Sequence, residues 1–163
     1  MSKKKKIKKT LVEQILDKAK ISYESIIFAT HQAGDVVQID RHQLEDETIY
    51  KTLALIGNVT GPVIGIVPVS AHLSYKKLAA ASGNKKVGMI PLKDLEQTTG
   101  YVHGANNPVG IHQTKKFPIY IDQSALDRGW LIVSAGELGR SIKIDAQVLA
   151  EFVQAQFTDL IEV

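Results

Sequence analysis

Residues 99–110 read Thr-Gly-Tyr-Val-His-Gly-Ala-Asn-Asn-Pro-Val-Gly, a run with three glycines, a proline, two asparagines and no apolar periodicity. That composition predicts a shaped loop rather than a helix or strand. Glycine admits positive φ and close backbone approach to a ligand, and Pro108 biases Asn107 toward extended backbone. Several N–H groups can then be aimed at one point, as in a preorganised binding wall. An ordinary long surface connection is the other reading of the same residues.

Lys51 is the second residue with chemical promise. It precedes an apolar run, and period-two alternation sets it on one face with Leu53 and Leu55. Pointed into a cavity, its ammonium can hold a phosphate or carbonyl oxygen; at a sheet edge it is a snorkelling lysine. Ser134 and Gly136 follow Leu131-Ile132-Val133 and can offer a hydroxyl and backbone donors, or form a simple strand-end turn. The histidines at 31, 42, 72, 103 and 112 lie far apart, and no metal motif, phosphate-binding loop or Gly-x-Ser-x-Gly elbow is present. His103 alone falls in the glycine loop, where it reads as a solvent-facing side chain. Neither a metal nor a cofactor is expected.

These residues need a scaffold. Leu11, Val12, Ile15, Leu16 and Ala19 recur at helical spacing behind Thr10, which predicts a helix over 11–20. Residues 26–28 suit a short strand, and 52–57 with 62–69 read as an antiparallel pair joined by Asn58-Val59-Thr60-Gly61. Ser74 opens a helix that Gly83 closes. A strand over 86–90 and a helix from Pro91 to about 97 follow, then strands at 119–122, 130–134 and 141–145 and a terminal helix over 146–157. The expectation is a single mixed α/β domain with a partly barrelled sheet flanked by helices.

Composition sets the outer bounds. The chain has 163 residues and no cysteine, which excludes disulfides, thiolate zinc sites and a cysteine nucleophile. Its net charge of +3 is misleading, because Lys3, Lys4, Lys5, Lys6, Lys8 and Lys9 supply six of the twenty basic residues. The rest holds 14 basic against 17 acidic residues, a net −3. Residues 1–9 therefore read as a basic, disordered tail on a domain spanning 10–163, either solvated or in contact with RNA phosphates. No apolar stretch reaches the length of a membrane span, and the protein reads as cytoplasmic with no membrane partner.

The glycine run resembles the Thr-Gly-Tyr-x-x-Gly-Gly-x-Ser-Pro-x-Gly signature of the YbaK/EbsC family, bacterial proteins related to the editing domain of prolyl-tRNA synthetases. Four more stretches match in order: Tyr50-Lys51-Thr52-Leu53; Leu73-Ser74-Tyr75-Lys76-Lys77-Leu78-Ala79; Gly83-Asn84-Lys85-Lys86-Val87 with Met89; and Val133-Ser134-Ala135-Gly136-Glu137-Leu138-Gly139. Together they cover nearly the whole chain. The resemblance implies a deacylase that removes a mischarged amino acid from tRNA, most characteristically cysteine from Cys-tRNA(Pro). It also implies misacylated tRNA as partner, with prolyl-tRNA synthetase as a candidate second partner. For cysteinyl substrates the route it implies is attack by the substrate's own thiol; for alanyl substrates it is attack by water. An alanyl substrate, or a non-catalytic ligand- or synthetase-binding role, is the alternative.

By the same resemblance, Lys51 and the Gly104 N–H take catalytic roles. Substrate contacts fall to Phe28, Thr99, Gly100, Tyr101, Asn107, Pro108, Ser134, Gly136 and Gly139. The chain departs from the pattern at Ala105 for the second glycine, at Asn107 for serine, at Phe28 where a tyrosine is common, and at Glu137-Leu138 for a basic pair. Ala105 matters only if the backbone there needs positive φ. Loss of the basic pair weakens phosphate contacts.

Overall fold

The structure is a computed structural model that describes residues 8–28, 30–33, 36–39 and 45–163. The lysines at 3–6 and His42 lie outside the described residues.

Helix α1 (Leu11–Lys18) starts at a reciprocal cap: the Glu13 N–H donates to Thr10 Oγ1 at 3.1 Å, and the Thr10 N–H donates to Glu13 Oε1 at 2.9 Å. Three short strands follow, β1 (Glu24–Ile27), β2 (Thr30–Ala33) and β3 (Val36–Ile39), the last two forming a separate antiparallel ribbon. A hairpin of β4 (Tyr50–Gly57) and β5 (Gly61–Pro68) comes next. Its turn is tied from outside, because the Val59 and Thr60 N–H groups both donate to Asn84 Oδ1.

Helix α2 (Tyr75–Ser82) begins at Ser74 and ends at Gly83, whose φ of +77° is the left-handed cap that glycine favours. Then come β6 (Val87–Met89), α3 (Leu92–Thr99), α4 (Pro108–Thr114), β7 (Ile119–Asp122) and α5 (Gln123–Arg128). The chain finishes with the pair β8 (Trp130–Glu137) and β9 (Arg140–Asp145), then α6 (Ala146–Val153) and β10 (Gln156–Thr158).

Five strands form a mixed sheet in the order β10-β7-β5-β4-β6, and three form an antiparallel sheet in the order β1-β9-β8. A parallel bridge from Ile49 to Ile132 brings the start of β4 against β8 and curls the two sheets toward an incomplete barrel. The main core fills the space between them with Leu16, Ile64, Ile66, Ile121, Leu131, Ile142 and Leu149. A second core, with Leu55, Val67, Leu78, Tyr120 and Leu160, covers the far face of the five-stranded sheet under α2.

Two expectations need correction. The run 99–110 is not all loop, because Asn107 and Pro108 open α4. The terminal helix stops at Val153, where Gln154 turns left-handed (φ +57°) and the chain adds β10 beside β7. Helix α5, the ribbon of β2 and β3, and β10 are too short to leave a readable period.

Candidate active site

Among the described residues β6 pairs with Leu55, Ile56 and Gly57 only, so β4 has an open edge from Tyr50 to Leu53. The Ile90 N–H donates to the Ala54 carbonyl at 3.3 Å, which shows that Ala54 presents its main-chain groups to this side. In a strand that parity recurs every second residue, so Thr52 directs its N–H and C=O to the same edge. A cavity of about 470 Å³ lies against it, within the range usual for small-molecule sites.

One wall is Lys51, Thr52 and Leu53 from β4. Opposite wall segments come from Phe28 and Ile49, from Ser134 of β8 and Ser141 of β9, from Leu92 and Leu95 of α3, and from His103, Gly104 and Asn106. Of the residues singled out in the sequence, the structure thus gathers Phe28, Lys51, Gly104 and Ser134 around one space. Lys51 keeps the parity of Leu53 and Leu55 and, opposite buried Val67 of β5, is half-buried at the open edge. Desolvation lowers its pKa below the ordinary 10.5. The Ser134 hydroxyl accepts the Gly136 N–H at 3.1 Å, which leaves its own proton for a ligand. Ser134 and Ser141 are register partners, so both side chains face the cavity.

The rest of the glycine run holds the wall in place. Thr99 is fully buried, and its hydroxyl donates to the Leu95 carbonyl while accepting the Tyr101 N–H. Gly100 caps α3 at φ +86°. Tyr101 packs against Gly110 and Gly136, where an added Cβ would lie 1.8 Å from its hydroxyl and 3.2 Å from its ring respectively. Asn107 is fully buried and caps α4, its Oδ1 accepting the Gly110 N–H at 2.6 Å and its Nδ2 donating to the Ala105 carbonyl. Pro108 occupies the first turn of α4. Gly139, at φ +78°, turns β8 into β9 and accepts the Phe28 N–H at 2.8 Å. None of these lines the cavity, although Thr99 bonds Leu95 and Gly139 bonds Phe28, which do.

The departures from the signature now have physical meanings. Ala105 has ordinary backbone and is buried, so no glycine is required there. Asn107 does the capping work that serine would do. Phe28, 8% exposed, supplies an apolar wall with Ile49 and Ile132. Glu137 and Leu138 are exposed. Arg140 is no substitute for the missing basic pair, because it is committed to buried Glu13 at 2.8 Å. Gly104, by contrast, does need glycine: its φ is +89°, and an added Cβ would meet Leu138 Cδ2 at 2.9 Å. This backbone conformation makes any side chain at the position costly.

Thr52, Asn106 and Ser141 also line the cavity, although the sequence does not single them out. Thr52 lies inside a quoted motif and Asn106 inside the glycine run, so the parity of an open strand edge was the signal available for the first. Among the described residues, no three His, Asp or Glu side chains gather as a metal would require, and no helix is long and apolar enough to cross a membrane.

A mixed α/β domain with a cavity of this size, a desolvated lysine and a positive-φ glycine beside it suits a small-ligand binding site. The chain belongs to the aminoacyl-tRNA editing domain family, whose model matches residues 41–152. It is 39% identical to "Putative Cys-tRNA(Pro)/Cys-tRNA(Cys) deacylase EbsC" of Enterococcus faecalis, over 98% of both chains. Solved structures with the same fold include one described as a putative trans-editing enzyme for prolyl tRNA synthetase. It has a TM-score of 0.67 and 22% identity, over 75% of each chain. Another is hypothetical protein APE2540, with a TM-score of 0.78 and 18% identity, over 93% of this chain and 99% of that one. At those identities the structures speak to fold alone.

Proposed function

We propose that the protein is a free-standing deacylase that hydrolyses or eliminates the amino acid from misacylated tRNA, with cysteine on proline tRNA as its substrate. The observation that carries this reading is the convergence of Lys51, Gly104 and Ser134 on one cavity at the open edge of β4. The E. faecalis relative, similar over nearly the whole chain, bears the matching name. The working place is the cytoplasm, where tRNA is charged, and prolyl-tRNA synthetase is the partner that would release the substrate.

The bond to be broken is the ester between the aminoacyl carbonyl and the ribose of the terminal adenosine. An adjacent amine already activates it, so charge stabilisation and positioning suffice without a triad. The Gly104 N–H and the Lys51 ammonium stabilise the charge that develops on the carbonyl oxygen, and the Ser134 hydroxyl adds a supporting donor. With a cysteinyl ester the substrate sulfur attacks the carbonyl carbon, a C–S bond forms, and the C–O bond to ribose breaks. The thiol proton ends on the ribose oxygen, and a cyclic thiolactone leaves. With an alanyl ester, water takes the place of sulfur and the free amino acid leaves.

Incubation with labelled Cys-tRNA(Pro), Ala-tRNA(Pro) and Pro-tRNA tests the proposal. Cysteine or a cysteine-derived product should leave faster than spontaneous hydrolysis allows, correctly charged Pro-tRNA should survive, and activity should fall as salt rises. Survival of both mischarged tRNAs at high protein concentration would favour a non-catalytic binding role. The commitment of Arg140 to Glu13, and Glu137-Leu138 in place of a basic pair, are the observations on that side.

A further inference from the structure

Two residues that line the cavity each carry a buried polar atom with no hydrogen-bond partner among the described residues. Thr52 Oγ1 and Asn106 Oδ1 are both buried and unbonded among the described residues. Asn106 as a whole is 6% exposed and lines the cavity. Its carboxamide cannot simply be turned over, because Nδ2 donates to the Val102 carbonyl at 3.2 Å. Reversal would set oxygen against oxygen. The unsatisfied atom is therefore an acceptor, and leaving it dry is costly unless a ligand donates to it. Thr52 brings a second unsatisfied oxygen and, on the open edge of β4, a main-chain carbonyl.

Acceptors of this kind call for a ligand group with several N–H or O–H bonds. Among the described residues lining the cavity there is no aspartate or glutamate, and Lys51 is next to Thr52 in the chain. A fixed anion for a cation is thus absent from this wall, while two residues with unsatisfied neutral acceptors line it. An aminoacyl ester carries one group that always offers more than one proton, its α-amino group. We propose that Asn106 Oδ1 and Thr52 Oγ1 bind the α-amino group of the acyl moiety, so that the cavity takes free amino acid esters and refuses acyl groups without the amine. This rests on the reading of the cavity as the aminoacyl site. Asn106 falls at a position the family signature leaves open, so the contact is set by this chain's own residue.

The test separates the amine from the rest of the ligand. The full chain is titrated calorimetrically with 3′-amino-3′-deoxyadenosine carrying, through a stable amide, either alanine or propionic acid, which has the same carbon skeleton without the amine. The alanyl compound should bind about tenfold tighter or more, since an amine-less ligand leaves both acceptors dry. Asn106→Leu and Thr52→Val should each remove most of that margin and leave propionyl binding within about twofold. Asn106→Leu also cuts the tie to Val102, so if it fails to fold the isosteric Thr52→Val decides. Equal affinities, no binding of either compound, or an undiminished margin in Thr52→Val would overturn the proposal. A margin with no deacylation of Cys- or Ala-tRNA(Pro) would leave the amine site standing and remove the enzyme; deacylation without a margin would do the reverse.

Discussion

Replacing Lys51 by methionine keeps an apolar stem of similar length and removes the ammonium. A unit charge about 5 Å from a developing oxyanion interacts with it by roughly 3 kcal/mol at an effective dielectric constant of about 20. Lys51 is only half-buried, and solvent takes about half of that, leaving roughly 1.5 kcal/mol or about tenfold in rate. Single-turnover deacylation of labelled Cys-tRNA(Pro), corrected for spontaneous hydrolysis, reads that loss directly. The pH profile supplies a second reading. Desolvation sets the Lys51 pKa below 10.5, and the charged form is the active one. The wild-type rate should therefore fall as pH rises through the lowered value, before an ordinary lysine would titrate. Lys51→Arg stays charged and should lose that fall. On stability the sign is opposite: folding disfavours the charged lysine, so its penalty is relieved as pH rises past the lowered pKa. A folded Lys51→Met variant that turns over within about twofold of wild type would refute the reasoning, because the charge is then too far away or too well solvated to matter.

Gly104→Val should abolish turnover and, because φ is +89°, lower stability by about 1–2 kcal/mol in thermal melts. His103→Ala, at the exposed mouth, should leave both nearly unchanged; a dead His103→Ala with an active Gly104→Val would move the chemistry to general acid–base catalysis by the imidazole. Asn107→Ala should cost about 1–2 kcal/mol through loss of the α4 cap, whereas Asn107→Ser should recover most of it in denaturant titrations. Glu13 supplies an acid-sensitive element. Burial pushes its carboxyl up, but hydrogen bonds from Ser25 and the Thr10 N–H and the charge of Arg140 outweigh burial and hold it below the usual 4.5. Its stabilisation is complete above about pH 4.5 and is lost as pH falls through the lowered folded value. Glu13→Ala should lose about 3 kcal/mol at neutral pH by leaving Arg140 unpaired, and should show a flatter acid profile in urea titrations.

Elements governed by neighbours in the chain were legible. Thr10 and Glu13 cap the first helix, and Ser74 and Gly83 bound the second, because capping needs only the geometry of one turn. The β4–β5 hairpin was readable from two apolar runs and a Gly-Asn turn, although its anchor, Asn84, comes from a distant segment. Asn107-Pro108 was harder. Those residues suit a loop and a helix start equally well, and burial of α4 under Tyr101 and the main core decides between them.

The ordered motifs placed Lys51, Gly104 and Ser134 in one family site, since each carries its own chemical type in its own sequence frame. Sequence alone left open whether those groups meet, because alternation gives the parity of a strand but not where its neighbour ends. The cavity exists because β6 is three residues long and leaves β4 unpaired beyond Leu55, and because the bridge from Ile49 to Ile132 brings Ser134 across to face it. The same limit hid Asn106 and Thr52. A polar residue in a loop or strand can be satisfied in many ways, and only the packed structure shows that these two oxygens are buried with no hydrogen-bond partner among the described residues.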